Sequence, residues 1–386
     1  MLVRGVAKTT LVIVIAIAVA IAVIGASYLL LYMGRTSKEE AETQAYFIVT
    51  DILNRSVKIP KNLSRIVAIG PGALRLVAYL NATNLLVGVE EFELSRSPVG
   101  RDYAMAYSTA FKSLPVIGPG GPNRPPDPEK LRVVRPQLII MSRTYADLYS
   151  PDRLAEEVNA SVFVVDYGVA GYLDVDAIKN ALLVLGKVLG REERAKELVN
   201  YINQLVNDLN NRTRDIASRP KVYIGAISYR GGQPFTSTQA RFAPLQLLNT
   251  PSIVDSIAGK AGFTTIDFEY LIKQQPDFVF IDENNLNIVL GDFRKDPSMY
   301  CSLNAFRSGK VYGVLPFNYY HTNVATAFAD AYFIGKVLYP DRFADVDPVA
   351  KADEIFRVFL GKSLYQEFVA GGYPGFVDLG NMFSCG

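Results

Sequence analysis

The sequence is poor in the side chains that bind metal ions or transfer protons. Its 386 residues include a single histidine, His321, and two cysteines, Cys301 and Cys385. A bare zinc or manganese ion usually needs several imidazole or thiolate ligands, so this composition argues against a binding protein for such an ion. We expect His321 to be a hydrogen-bonded loop residue, and we expect neither a cofactor nor a resident metal.

Net charge and catalytic motifs are also lacking. Lysine and arginine number 40 against 38 acidic residues, and this small excess argues against a nucleic-acid partner. The sequence contains no P-loop and no G-x-S-x-G motif, and one histidine leaves few options for acid–base chemistry. Asp282 and Glu283 are adjacent carboxylates, but nothing pairs them with a nucleophile. These absences predict a protein that is not an enzyme.

Near the amino terminus lies one long apolar run, Leu11 to Met33. Its 23 residues carry no charge, and as a helix they would span about 34 Å, enough for a bilayer core. No clear cleavage site follows, so a retained membrane anchor is favoured over a removed signal peptide. The sequence predicts an anchor over residues 1–35 and a stalk over residues 36–62.

Two features favour a location outside the membrane. Cys301 and Cys385 form a lone pair that suits a disulfide pinning the carboxyl terminus, with two unpaired thiols as the alternative. Five N-x-S/T triplets also occur, about twice the number that chance would give. They begin at Asn54, Asn62, Asn81, Asn159 and Asn211. We therefore expect the body to lie on the extracellular face of the cell membrane.

One stretch of sequence occurs twice. Residues 127–142 and 267–282 both follow the pattern D-x-E-x-L-x4-P and then an apolar run, with matched positions 140 residues apart. In each copy an Asp suits a helix N-cap, an acidic residue occupies the first turn, and a Pro ends the helix before a buried strand. The repetition predicts two similar α/β lobes in tandem.

The surrounding sequence sets the limits of these lobes. Strand patterns alternate with helical patterns over residues 63–172 and again over 220–386, which predicts a parallel sheet in each lobe. Residues 173–219 have helical spacing throughout. Their second segment continues from Gly190 to about Ser218, some 27 residues or 40 Å, and predicts a stiff connection with limited hinge motion.

Several stretches together resemble the class III substrate-binding proteins of ABC importers, which bind ferric siderophores, haem and cobalamin. The resemblance covers about residues 63–372 and rests on both repeat copies and on four shorter segments. These segments are Arg65-Ile-Val-Ala-Ile-Gly-Pro71, Leu86-Val-Gly-Val89, Gly309-Lys-Val-Tyr312 and Phe359-Leu-Gly361. It implies two Rossmann-like lobes with parallel sheets joined by a long rigid helix, here with an added N-terminal transmembrane helix. It further implies a monomer that delivers a small-molecule metal chelate to an ABC permease and its ATPase.

The resemblance also implies roles for particular residues. Glu129 and Glu269 match the acidic residue that docks each lobe of this family onto the permease; the alternative is that each only complements its helix dipole. Family members often carry Glu where this chain has Arg75. An arginine at that position suggests a different ligand, or a more negatively charged one.

Ligands of open α/β sheets bind beyond the carboxyl ends of the strands, which here places the site in a cleft between the lobes. Six loops reach that cleft: residues 70–75, 118–121, 142–145, 229–232, 282–285 and 317–321. They supply the expected ligand-binding residues Arg75, Arg143, Tyr145, Tyr229, Arg230, Asn318, Tyr319 and Tyr320. Guanidinium groups match carboxylates, and phenols offer stacking faces and hydrogen bonds, so this set suits an anionic, partly aromatic chelate.

Alternatives remain open at this point. Each Arg and Tyr of the set also suits an ordinary surface ion pair or a half-buried packing position. A ferric siderophore-like ligand is favoured, but cobalamin, haem, an oxyanion or a ferric ion held by Tyr319 and Tyr320 suits the same loops. A membrane-tethered surface sensor that is not coupled to transport is a further reading of the same sequence.

Overall fold

The computed structural model describes residues 20–33, 45–229 and 231–385, which form two compact units. The first unit comprises Met1–Val49 with Lys58–Asn62. Its residues 20–33 are helical and exposed, and strand β1, Tyr46–Thr50, pairs with β2, Ser56–Pro60. No helix among the described residues combines the length and apolarity needed to cross a membrane. Residues 1–19 and 34–44, which include most of the predicted anchor and the first part of the predicted stalk, lie outside the described residues.

The second unit, Thr50–Val57 with Leu63–Gly386, contains both predicted lobes. The sheet of the amino-terminal lobe has three parallel strands, β3 (Ile66–Ile69), β4 (Leu138–Ser142) and β5 (Ser161–Val165). Parallel bridges from Ile66 to Leu86 and from Val89 to Val116 extend it. These strands are continuous apolar runs because helices cover both faces of the sheet. The helices are α1 (Ala73–Tyr79), α2 (Glu91–Ser95), α3 (Asp102–Phe111), α4 (Pro128–Val134), α5 (Arg143–Ala146) and α6 (Pro151–Val158), with a 3-10 turn at Thr83–Leu85.

Two helices connect the lobes. Helix α7, Val175–Leu189, begins at an Asp174 cap and ends at Gly190, whose left-handed backbone suits glycine. Helix α8, Glu192–Thr213, has 22 residues and is therefore about 33 Å long. The predicted long connection is confirmed, but its second helix ends at Thr213 and not near Ser218.

The carboxyl-terminal lobe repeats the parallel arrangement. Its sheet has the order β10 (Val311–Val314), β9 (Phe278–Asp282) and β6 (Val222–Gly225). A separate antiparallel pair, β7 (Ser237–Ala240) and β8 (Gly262–Thr265), has no counterpart in the first lobe. The helices are α9 (Ala243–Leu247), α10 (Phe268–Gln274), α11 (Leu286–Lys295), α12 (Pro297–Cys301), α13 (Asn304–Arg307), α14 (Val324–Leu338), α15 (Pro348–Leu360) and α16 (Tyr365–Ala370), with 3-10 turns at Glu283–Asn285 and Gly380–Met382.

The sequence repeat is a structural repeat. Helices α4 and α10 begin 140 residues apart, and each ends in a left-handed residue, Arg135 (φ 44°) or Gln275 (φ 46°), directly before the proline. Strands β4 and β9 then occupy equivalent positions. The predicted capping is right in one copy only, because Asp127 accepts a hydrogen bond from the Lys130 N–H and Asp267 makes no such bond. The two-lobed α/β prediction is confirmed.

The carboxyl terminus is joined to the second lobe by a disulfide. Cys301, at the end of α12, is bonded to Cys385, with 5.5 Å between their Cα atoms. Phe383 packs edge-on against Phe293 and Phe306 in the core beside this bond. The disulfide predicted from the lone cysteine pair is therefore present, and it fixes the tail to the core of the lobe.

Candidate functional site

Segment Phe317–Asn323 follows strand β10 and contacts two of the other predicted loops directly, through Arg75 and Gly121. Asn318 donates a hydrogen bond to the Ser228 carbonyl, beside loop 229–232, at 2.8 Å. The Ser228 N–H and hydroxyl in turn contact Asp282 and Asn284. Contacts to the amino-terminal lobe run through Arg75 and Tyr320 and are described next. These contacts bring together, within the second unit, loops that follow the parallel strands of both lobes.

Arg75 has a different environment from the one predicted. Its side chain is fully buried and paired with Asp102, and it also binds the Tyr167 hydroxyl. It further donates to the carbonyl oxygens of Tyr319 (3.0 Å) and Tyr320 (3.3 Å) and to the Asn323 side chain. Since a guanidinium has five N–H groups, these contacts use all of them. Arg75 therefore fastens the second lobe's loop to the first lobe and leaves no donor for a ligand.

Tyr320 and Tyr145 are also committed to the protein. The Tyr320 hydroxyl donates to Glu90 (2.9 Å) and accepts from the Gly121 N–H (2.9 Å), and its ring lies 4.1 Å from that of Phe92. The Tyr145 hydroxyl donates to the Gly121 carbonyl, and its side chain is buried. Burial of both hydroxyls between protein partners corrects the expectation that they face a ligand.

Glu90 is the acidic partner in this network. It accepts from the Gly70 N–H at 3.1 Å as well as from Tyr320, and so links two cleft loops. Burial raises the pKa of Glu90 to about 7, because the charged form loses water that its two donors only partly replace. The pattern of the sequence gave no signal for this residue.

His321 is the hydrogen-bonded loop residue that the sequence predicts. Its Nδ1 accepts from the Thr322 N–H at 2.9 Å, and its ring lies 4.1 Å from that of Tyr167. Burial, together with the nearby charge of Arg75, lowers the pKa of His321 to about 3, so the ring is neutral at ordinary pH. The next residue, Thr322, accepts from the Gly171 N–H through its hydroxyl and adds a further link between the lobes.

Four of the predicted residues remain partly or fully exposed. Tyr319 is half-buried, and its hydroxyl makes no hydrogen bond to any described residue. Asn318 and Tyr229 are half-buried, and the Tyr229 ring stacks on Phe263 with centroids 4.4 Å apart. Arg143 is exposed and paired with Asp147 one helical turn away. Arg230 lies outside the described residues.

Two further residues belong to the surroundings of Tyr319. The segment Arg101-Asp-Tyr103 is one that the sequence also suggests could reach the cleft, whereas Tyr373 has no such signal. Arg101 is fully buried, forms an ion pair with Glu93 and lies under the rings of Tyr319 (5.6 Å) and Phe92 (5.0 Å). Tyr373, in the carboxyl-terminal tail, donates to the Asn284 side chain at 3.0 Å. The contacts of Arg101 with Tyr319 and of Tyr373 with Asn284 each join segments that are distant in sequence. Local residue spacing therefore cannot indicate them.

Asp282 and Glu283 are structural acids. Asp282 accepts from the N–H groups of Ser228 and Asn284, and burial raises its pKa to about 6. Glu283 accepts from the Gly375 N–H, and burial raises its pKa to about 9. Over the described residues, no group of three or more His, Cys, Asp or Glu side chains is arranged to hold a metal ion.

The two glutamates implied in docking are equivalent and exposed. Glu129 lies in the first turn of α4 and Glu269 in the first turn of α10, and neither forms an ion pair with a described residue. Helix α4 begins beside Gly118, where a Cβ would lie 3.4 Å from the Asp127 nitrogen. It therefore begins on the same edge of the sheet as the cleft loops.

Two parallel-sheet lobes, a connecting helical pair and a cleft built from strand-end loops define a two-lobed solute-binding protein. The sequence matches the periplasmic binding protein family over residues 66–316, and the chain belongs to that family. Its fold is that of the class III, TroA-like members, which are the extracytoplasmic solute-binding components of ABC importers and not enzymes.

Individual relatives are distant. The molybdate-binding protein MolA of Haemophilus influenzae is 21% identical over 334 residues, covering 81% of this chain and 90% of MolA. The ferric-anguibactin-binding protein FatB of Vibrio anguillarum is 22% identical over 183 residues, covering 47% of this chain and 55% of FatB. The crystal structure of the TroA-like protein FepB from Veillonella parvula aligns with a TM-score of 0.63 at 21% identity, covering 82% of this chain and 97% of FepB.

Proposed function

We propose that the protein captures an organic iron chelate of the ferric-siderophore class in its cleft and delivers it to the permease of an ABC importer. The observation that carries this proposal is the chemistry of the half-buried side chains around segment Phe317–Asn323. Tyr319, Tyr229 and Asn318 offer two phenol rings and an amide. Such groups suit the faces and polar edges of a planar organic chelating group.

The arginines support an organic ligand over a small bare anion. Arg75 and Arg101 are each paired with a buried carboxylate, Asp102 and Glu93, so each pair has little net charge. Of the predicted cleft arginines that the structure describes, only Arg143 is exposed. A dianion such as molybdate needs converging donors and compensating charge, which these pairs do not supply.

An oxyanion is the second candidate, and the similarity to MolA favours it. MolA is matched over 90% of its length, whereas FatB, the relative whose name specifies an iron chelate, is matched over 55%. Haem and cobalamin are further candidate ligands, because the class III proteins that this sequence resembles bind them.

Titration calorimetry of the purified protein separates these ligands. The probes are a ferric catecholate siderophore, a ferric hydroxamate siderophore, haem, cobalamin and sodium molybdate. We expect submicromolar binding of a ferric siderophore and binding at least 100-fold weaker for molybdate. Tight molybdate binding without siderophore binding would show that the ligand is an oxyanion. Binding of the iron-free siderophore, without binding of its ferric form, would show that the ligand is not an iron chelate.

We further propose that Glu129 and Glu269 dock the two lobes onto the permease. Their exposure, their equivalent positions in the repeat and the placement of α4 on the cleft edge support this role. A surface sensor without a transporter needs neither carboxylate, so the variants described in the Discussion distinguish the two.

A further inference from the structure

The asparagines that begin N-x-S/T triplets are all exposed. Asn54, Asn81, Asn159 and Asn211 lie in the second unit and Asn62 in the first, and each side chain is on the surface. Asn54, Asn81 and Asn159 have left-handed backbones, with φ of 60°, 54° and 54°. Asparagine suits that conformation, and in each case a Ser or Thr two residues later completes an acceptor triplet.

Two of these asparagines lie at the amino-end edge of the first lobe's sheet. Asn81 follows α1, which returns from the carboxyl end of β3, and the chain then pairs Leu86 with Ile66, the first residue of β3. Asn159 is the residue after α6, and Ser161 is the first residue of β5. Both therefore lie at the starts of parallel strands, which is the edge opposite the cleft loops.

Asn54 lies beside the same sheet in an exposed turn. Its N–H donates to the Asp51 carbonyl, and the neighbouring Arg55 donates to the Val162 carbonyl near the start of β5. The Ile52 N–H of the same turn donates to the Val164 carbonyl, and Asp51 accepts from the Val164 N–H. The turn therefore flanks β5 along most of its length, and Asn54 lies at the side of the sheet. With strands of four and five residues, the edge where these strands begin lies roughly 13–17 Å from the edge that carries the cleft.

Asn211 also begins a triplet, but the hydroxyl that completes this triplet is buried. Asn211 lies inside helix α8, and the Thr213 hydroxyl is fully buried and donates to the Leu209 carbonyl. The hydroxyl that completes this triplet is therefore not accessible in the folded protein. Asn211 serves as an internal contrast to Asn54, Asn81 and Asn159.

We infer that Asn54, Asn81 and Asn159 are N-glycosylation sites, modified by transfer from a lipid-linked oligosaccharyl phosphate donor. In this step the side-chain amide nitrogen forms a bond to the anomeric carbon of the sugar, and the bond between that carbon and the lipid phosphate oxygen breaks. The lipid phosphate leaves with the electron pair, and the amide loses one proton to solvent. The extracytoplasmic location of the family supplies the compartment in which such donors act.

The placement has a functional consequence. Glycans on Asn81 and Asn159, at the strand-start edge, leave both the cleft loops and the exposed Glu129 uncovered, because those lie on the carboxyl-end edge. Modification at these positions is therefore compatible with ligand entry and with docking. It also adds bulk and solubility on the side of the lobe that carries neither function.

The test is peptide mapping by mass spectrometry of the full-length protein purified from the membranes of its native host. We expect added sugar mass on the peptides that contain Asn54, Asn81 and Asn159, and none on the peptide that contains Asn211. The Asn123 peptide is a matched negative control, because Asn123 is also exposed and left-handed (φ 58°) but begins no triplet. Native protein whose three acceptor peptides all have unmodified masses would overturn the inference.

Conservative variants expressed in the same host make the assignment specific. Thr83→Ala should remove the added mass at Asn81, whereas Thr83→Ser should keep it, because only the second retains a hydroxyl. The pair Ser161→Ala and Ser161→Thr should behave in the same way at Asn159. Sugar that persists in both alanine variants would overturn N-linked modification at these triplets. The readout needs no ligand, so it stands or fails separately from the proposed function.

Discussion

The guanidinium of Arg75 lies 3.1 Å from the carboxylate of Asp102, and both side chains are completely buried. The same guanidinium binds the carbonyls of Tyr319 and Tyr320 in the opposite lobe. One arginine therefore neutralises a buried acid and fixes a loop of the cleft. We expect Arg75→Ala to lower the free energy of unfolding by about 3–5 kcal/mol, because Asp102 would remain buried without a cation.

Urea denaturation measures this change. The matched control is Arg143→Ala, which removes an exposed arginine of the same cleft and should cost no more than about 0.5 kcal/mol. If Arg75→Ala folds with unchanged stability and loses only ligand affinity, Arg75 contacts the ligand directly and the assigned structural role is wrong.

Tyr319 offers a direct test of ligand contact. The chain has no tryptophan, so Tyr319→Trp introduces a single indole emitter into the cleft. We expect strong quenching of that emission by a ferric siderophore, and Tyr319→Ala should weaken binding by at least about tenfold through loss of a buried aromatic contact. Tyr201→Trp, on helix α8, is the control and should be quenched far less. Equal quenching at both positions would place the ligand elsewhere.

The docking proposal predicts a separation of transport from binding. Reversing both charges with Glu129→Lys and Glu269→Lys should abolish ligand uptake and stimulation of the importer's ATPase, while ligand affinity stays within about twofold. The control is Glu192→Lys, an exposed first-turn acid of α8 whose reversal should leave uptake intact. Unchanged uptake in the double variant would favour a sensor or another docking surface.

Glu90 predicts a pH dependence of stability. Its pKa rises from 4.5 to about 7 on folding, so the folded protein holds a proton that the unfolded chain releases between these values. The stabilising contribution is complete below about pH 4.5 and is lost as the pH rises to about 7, a change of about 3 kcal/mol. Glu90→Gln should remove this loss, so its stability relative to wild type should rise over that interval.

Unfolding by denaturant at a series of pH values measures this difference. Because Asp282, Glu283 and His321 also titrate abnormally, the informative quantity is the difference between variant and wild type at each pH. Glu91→Gln, at the exposed neighbouring position, is the control variant. A flat difference for Glu90→Gln would mean that Glu90 titrates normally in the folded state.

The disulfide predicts sensitivity to reduction. Cys301 and Cys385 are 84 residues apart, and closing a loop of that length stabilises the folded state by about 4 kcal/mol in the chain-entropy description. The double variant Cys301→Ser, Cys385→Ser should lose about this amount, and reductant should have no further effect on it. Equal stability of wild type with and without reductant would show that the bond contributes little.

Much of the fold was predictable because its elements have strong periodic patterns. Strands β3 and β5 are apolar runs, and helices α14 and α15 are long segments with clear end signals, so their patterns are visible in the sequence. The pair β7 and β8 has no such signal, because short polar strands resemble loops in sequence. Helix α16 has only six residues and lies in a glycine-rich part of the chain, so its pattern is equally weak.

The candidate site was predictable as a location but not as a set of side chains. Parallel strands bring their carboxyl ends to one edge, so the meeting of the cleft loops followed from topology. The direction of each side chain did not follow from the topology. All seven residues of α1 are buried, and only the tertiary fold decides that Arg75 faces Asp102 and the opposite lobe. Tyr145 and Tyr320 point inward for similar reasons, whereas Tyr319 does not.

Segment Phe317–Asn323 belongs to one lobe in sequence but is gripped by Arg75, Gly121 and Tyr167 of the other. The backbone that displays Tyr319 is therefore held in place by hydrogen bonds to the other lobe. If Tyr319 contacts the solute as proposed, capture requires little further loss of conformational entropy, and more of the contact free energy is retained as affinity. A preorganised site of this kind needs little closure of the lobes around its ligand, and it favours rigid ligands over flexible ones.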